Sequence, residues 1–228
     1  MTPPDDFDPP IGVPEGLEPG MRRIVAPNPS PMTYRGTNTY LVGETALAVV
    51  DPGPDSAPHM DAILQAIAPG QHVSHIIVTH SHLDHSPLAR ALSQSTGAPV
   101  LAFGGPTAGR SAVMQRGNHI SLGFRQACLT ADHVMGWASS LVSPPDGDLT
   151  DFMASCSKLR QRDWRVFYPG HGAPISDPRE RLDWLVAHRL GREAAILAAL
   201  DAGPATADTI ARAVYTDTPP ALLPAATR

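Results

Sequence analysis

The run His80-Ser81-His82-Leu83-Asp84-His85 limits what this chain can become more than any other feature of it. Four side chains able to hold a metal fall within six positions. Just before them, His75-Ile76-Ile77-Val78-Thr79 is apolar and β-branched, which predicts a buried strand. In extended backbone, residues two apart project to the same side, so His80 and His82 can reach one ion. Asp84 and His85 follow where the chain should turn into a helix predicted over residues 86–95, and that turn can aim them at a neighbouring point. The four groups thus gather at the C-terminal end of a strand, where α/β folds tend to place their sites.

The rest of the chain reads as material for such a fold. Extended runs are expected over 22–26, 37–42 and 46–51, the last closed by the turn Asp51-Pro52-Gly53-Pro54. Met60, Ile63, Leu64 and Ile67 give residues 56–67 helical spacing. Further strands are expected over 99–103, 119–122, 126–130 and 165–168, with 104–116 irregular and a helix over 149–161. Beyond Pro178 the stripe Leu182, Leu185, Val186, Leu190, Ile196, Leu197, Leu200 is mostly helical until Gly203-Pro204. Residues 206–214 predict another helix, and Thr218-Pro219 the start of a short third. Residues 1–20, rich in Pro, Gly and acids, read as an arm or edge loop. The expected organisation is therefore an arm (1–20), a main domain (21–190) and a helical region (191–228).

Two further strand ends carry ligand-type residues. Asp132 follows the apolar run ending Leu129-Thr130-Ala131, and a carboxylate there can bridge two ions. His171 lies on the turn Pro169-Gly170-His171-Gly172. An ordinary turn aspartate and a surface-loop histidine are the competing readings of these two, and His133 competes with Asp132. His59, His72, His75 and His188 have no partner pattern and read as structural or solvated. Imidazole and carboxylate donors suit zinc. Two such ions about 3.5–4 Å apart would hold hydroxide at neutral pH, able to attack a carbonyl carbon or phosphorus.

Composition narrows the functions. The 228 residues are 42% hydrophobic and 17% charged, with a net charge of −5 and no Lys/Arg block, which argues against a broad basic nucleic-acid face. Cys128 and Cys156 give neither a disulfide framework nor a paired-cysteine metal knuckle. The acidic, Pro-rich start is unlike a signal peptide, and no apolar run approaches the length of a membrane span. A cytoplasmic chain without membrane contact is expected, its oligomeric state left open.

The assembled residues resemble the metallo-β-lactamase superfamily over about residues 20–190. His80, His82, Asp84 and His85 match its HxHxDH signature, Asp132 its bridging aspartate and His171 its final metal histidine. The resemblance implies an αββα sandwich with a two-zinc site at the edge of its sheets. It assigns His80, His82 and Asp132 to a first ion and Asp84, His85, Asp132 and His171 to a second, with Asp84 also orienting the nucleophilic water. Several stretches are similar to the β-lactamase-like protein 2 branch: 26–31, Gly36-Thr37-Asn38-Thr39-Tyr40-Leu41-Val42, Asp132-His133-Val134-Met135-Gly136 and Tyr168-Pro169-Gly170-His171-Gly172. That branch implies a C-terminal winged helix, here partial, and includes single-stranded-RNA endoribonucleases.

One departure matters. The family places another histidine, usually after a glycine, between the signature and the bridging aspartate. Only His119 lies in that interval here, and its surroundings resemble the segment just after the family's ligand, which would put Gln115 at the ligand position. The chain reads as shortened near Arg116–Gly117, and the first metal position is expected to be the weaker. Three functions compete: hydrolysis of a small ester, thioester or lactone; cleavage of single-stranded RNA, with Arg22, Arg35 and Arg110 as candidate contacts; and a metal-binding protein impaired by the missing ligand.

Overall fold

In the computed structural model, which describes residues 6–102, 119–142, 147–201, 203–216, 218 and 223–226, two sheets face each other between helices. The first sheet runs, in space as in sequence, β1 (Glu15–Glu18), β2 (Met21–Val25), β3 (Asn38–Val42), β4 (Ala46–Val50), β5 (His72–Val78) and β6 (Val100–Ala102). Its first four strands pair antiparallel. β4, β5 and β6 are parallel, because α1 (Ala57–Gln65) and α2 (Leu88–Thr96) form the crossovers between them. The second sheet holds β7 (Leu122–Phe124), β8 (Ala127–Ala131) and β9 (Val166–Pro169), with α3 (Leu149–Arg160) crossing between the parallel pair β8 and β9. α4 (Pro178–Asp201), α5 (Ala207–Val214) and α6 (Leu223–Ala226) follow.

Three apolar clusters define four layers. Ile63, Leu88 and Leu92 of the first two helices pack on Leu41, Val49 and Ile76 of the first sheet. Phe152 and Cys156 of α3, with Leu182 and Leu185 of α4, pack on Cys128 and Phe167 of the second sheet. Between the sheets, Met21, Tyr40 and Val50 meet Ala127, Leu129, Val166 and Tyr168. The expected αββα sandwich is therefore the observed one.

Local signals set the helix ends. The Ser56 side chain accepts from the His59 amide ahead of α1, and Asp148 caps α3 through the Thr150 and Asp151 amides. α2 stops at Gly97, whose φ of 74° is the left-handed cap conformation.

Three expectations differ from the fold. Residues 15–18, read as part of an arm, form an edge strand, because Glu15 lies opposite Arg23 and pairs with its guanidinium at 2.5 Å, while Arg23 also lies over the Phe7 ring. The strand expected over 119–122 starts only at Leu122, because the amide of Ile120 bonds the Thr79 carbonyl (3.1 Å) and so draws that segment to the end of β5. After α4 the described residues contain helices and no strand, so the winged helix is not seen among them. The irregular segment expected over 104–116, with Arg110 and Gln115, lies outside the described residues. No helix among the described residues is long and apolar enough to cross a membrane.

Candidate metal centre

β4 and β5 are parallel, as are β8 and β9, so each pair delivers its C-terminal ends to one edge. The two edges are tied together. The Asn38 amide bonds the Gly170 carbonyl (2.8 Å), the Tyr40 hydroxyl donates to the Pro169 carbonyl (2.6 Å), and Thr37 pairs with His171. The turns after β5, β8 and β9 consequently meet. All six residues singled out by sequence converge there.

They form two sets that share Asp132. His80, His82, His119 and Asp132 offer ligand atoms within 4.8 Å of one another, and so do Asp84, His85, Asp132 and His171. One oxygen of Asp132 lies 3.5 Å from His80 Nε2. The other lies 3.3 Å from both His85 Nε2 and His171 Nε2, yet it is buried without a hydrogen bond. His85 Nε2 and His171 Nε2 face each other at 3.2 Å. Aromatic nitrogens and an orphaned carboxylate oxygen pointing at common centres are what a cation requires of its ligands, and the donor set is the imidazole–carboxylate set that zinc favours.

The backs of the rings are held as carefully as the fronts. Asp51, with φ +50° at the end of β4, accepts from the Thr79 amide (2.8 Å), the Thr79 hydroxyl (2.7 Å) and His85 Nδ1 (2.9 Å). With its proton given to Asp51, the Thr79 oxygen accepts from His80 Nδ1 (3.0 Å). The Gly36 carbonyl accepts from His171 Nδ1 (3.2 Å). In the neutral rings of His80, His85 and His171 these contacts favour the tautomer with its proton on Nδ1, which turns Nε2 to the cluster, and one carboxylate, Asp51, stands behind both candidate metal positions. His82 turns its Nδ1 towards His80 Nε2 at 2.9 Å.

Charge in the cluster follows the same geometry. Burial opposes charge on His85, but the Asp132 and Asp51 carboxylates outweigh it and hold its pKa well above the usual histidine value. Burial likewise opposes charge on His171, yet Asp132 and Asp84 raise it to about 9. Asp84 and Asp132, despite burial, are held well below the carboxylate range by those two imidazoles. His82 and His119 are lowered, first by burial and then by neighbouring His80, His119 to about 3.

The turn after β8 is clamped from α4. Buried Arg181 donates to the carbonyls of Met135 and Ala138, both at 2.7 Å, and Arg189 to that of Ser140. Ser140 in turn bonds the carbonyls of Asp132 and His133. His133 faces Cys156 and Phe152 in the core and does not compete with Asp132. His59 is buried against the Thr39 hydroxyl, 2.8 Å away. Arg22 and Arg35 are engaged with Ala66, Gln71 and Phe7, as cross-links of the fold.

Gly170 completes the cradle. A Cβ there would lie 2.6 Å from Asp132 Oδ1 and 2.8 Å from His85 Cε1, although its backbone conformation is one that other residues adopt. Gly170→Ala is expected to weaken metal binding at least tenfold while costing about 1–3 kcal/mol of stability, as overpacking does. Zinc titration alongside thermal melting checks this, and unchanged affinity would show that the cradle has slack.

Sequence alone does not single out two residues of the site. Asp51 reads only as the start of a turn; its place closing an apolar strand beside a parallel, ligand-bearing strand is the available signal. His119 stays open in the sequence because its reach depends on how the chain crosses the end of β5.

The Lactamase_B family, described as the metallo-beta-lactamase superfamily, matches residues 32–106. A beta-lactamase-like protein 2 homolog of Caenorhabditis elegans is 28% identical, covering 90% of this chain and 79% of its own. An atrochrysone carboxyl ACP thioesterase of Cryptosporiopsis sp. is also 28% identical, over 85% of this chain and 66% of its own. Among solved structures, a beta-lactamase domain protein from Burkholderia ambifaria superposes with a TM-score of 0.79 at 18% identity, covering 98% of this chain and 87% of its own. A metallo-beta-lactamase family protein from Thermus thermophilus superposes with a TM-score of 0.69 at 23% identity, over 86% and 87% of the two chains. These two share the fold. Signature, layered sheets and relatives point the same way: residues 32–106 match the metallo-beta-lactamase superfamily, and the chain has the fold of its solved neighbours.

Proposed function

We propose that this chain is a metal-dependent hydrolase of a small ester, thioester or lactone, with two zinc ions as its cofactor. The observation that carries the reading is Asp132, whose Oδ1 is buried without a hydrogen bond at the junction of two ligand sets, three of whose imidazoles (His80, His85 and His171) are oriented from behind. Bound between these residues, zinc supplies the Lewis acidity that makes water a nucleophile at neutral pH and polarises a carbonyl.

The chain's own residues contribute the rest. Asp84 keeps about a quarter of its side chain open to solvent, with one oxygen 3.1 Å from His171 Nε2 and 3.3 Å from His85 Nε2. Ionised and accessible, it is the carboxylate that can accept a hydrogen bond from water and hold that water for attack. Leu83 is 81% exposed on the same turn and lends the rim an apolar surface, which suits an acyl group better than a phosphodiester. Among acyl substrates a thioester is favoured, since a relative of comparable identity is named as a thioesterase.

The test is turnover of a short-chain acyl thioester, an aryl ester and a lactone by zinc-loaded protein, with single-stranded RNA as a parallel substrate. Thioester hydrolysis that a chelator removes and zinc restores is expected. Failure on all three acyl substrates by protein with measured, stoichiometric zinc would overturn the reading, and RNA cleavage in its place would substitute the nuclease.

A further inference from the structure

We infer that His119 is the third imidazole of the first metal position, standing in for the ligand histidine that this sequence lacks at its expected place. The inference rests on the proposed metal-dependent function but concerns a residue outside the matched signature. Counting from sequence gives the first position only His80, His82 and Asp132, against four groups for the second. In the folded chain His119 offers a ring nitrogen to the same point, and all four ligand atoms lie within 4.8 Å of one another. Its ring stacks on that of His80, with centroids 4.0 Å apart and planes at 25°, and its centroid is 5.9 Å from that of His82.

This placement has a local cause. The next residue, Ile120, donates its amide to the Thr79 carbonyl at 3.1 Å, one residue before His80. A single backbone bond therefore seats the His119 segment on the end of the strand that carries the other two imidazoles. Asp132 approaches from the opposite sheet. Three imidazoles are the ligand set of an open, catalytic zinc position, and Asp132 would add the carboxylate shared with the second. Asp51 is also near His80 and His85, but its oxygens already accept three hydrogen bonds, so it serves as their support and leaves the fourth place to His119.

Metal counting on the full chain tests the inference. Wild-type protein is expected to bind two equivalents of zinc. His119→Ala should bind one tightly, with affinity at the first position lower by at least about a hundredfold, the upper end of what losing a mere supporting partner costs. His171→Ala should also bind one tightly, and the cobalt-substituted absorption spectra of the two variants should differ, because different positions remain filled. Should His119→Ala fold poorly, the ¹⁵N imidazole spectrum of wild-type protein decides: a zinc-dependent shift of the His119 ring is expected. Two tight equivalents in His119→Ala, or no shift of that ring, would overturn the inference. A single equivalent in wild type that His119→Ala leaves unchanged would overturn it too, with the hydrolase reading intact. No zinc bound by wild type would sink both.

Discussion

Asp132→Ala is expected to lower kcat/KM by at least about a thousandfold and to remove tight metal binding at both positions together. The carboxylate is the one group shared by the two sets, and its oxygens lie within 3.5 Å of His80, His85 and His171. Lewis-acid assistance is worth several kcal/mol to a hydrolytic transition state, and each step of about 1.4 kcal/mol is a factor of ten in rate. Among the described residues no neighbour can substitute. Asp84 reaches the second set only, and Asp51 is committed to Thr79 and His85. The check pairs zinc stoichiometry with thioester turnover, using circular dichroism to confirm the fold. Asp132→Asn keeps the shape and loses the charge, so it should bind metal more weakly than wild type and turn over slowly. Loss of one ion with the other retained at wild-type affinity would show that Asp132 serves a single position.

Asp51→Ala is the second large effect, and it divides between stability and metal. Truncation strands the Thr79 amide and hydroxyl and the Nδ1 of His85, all buried donors. A buried polar group left unpaired costs about 1–3 kcal/mol, so a loss of about 3 kcal/mol or more is expected from metal-free unfolding in urea. The φ of +50° adds strain for alanine that aspartate and asparagine tolerate better. Zinc affinity should fall about 10–100-fold, since His85 loses the partner that fixes its tautomer and His80 loses the relay through Thr79. Asp51→Asn should recover part of the stability and less of the affinity, because an amide oxygen accepts hydrogen bonds without raising imidazole basicity. Equal affinity in all three proteins would confine Asp51 to a structural role.

Arg181 and Arg189 show how far the site's support reaches. Both lie on α4, remote in sequence from the signature, yet their donors hold the carbonyls of the turn that follows Asp132. Local pattern places two arginines on a helix and carries no sign of these carbonyl contacts. The same limit applies to residues 15–18, where Pro and Gly nearby suggest a loop and the Glu15–Arg23 pairing makes a strand.

The sequence by itself determined where the candidate centre lies. An apolar β-branched run feeding HxHxDH can be satisfied only by a buried strand ending in a ligand turn, and the apolar runs before Asp132 and His171 mark two more strand ends of that kind. These are local facts of period and spacing, which a sequence displays directly. Only the tertiary structure decided what stands behind and beside those ligands. Asp51 reaches His85 across 34 residues, the Gly36 carbonyl reaches His171 across 135, and His119 arrives at His80 because one amide bonds the end of β5. Such contacts depend on which strands lie parallel and which sheet edges meet, and no periodicity records that. The opening motif therefore marks the candidate metal centre, while the fold sets how many imidazoles gather at each part of it.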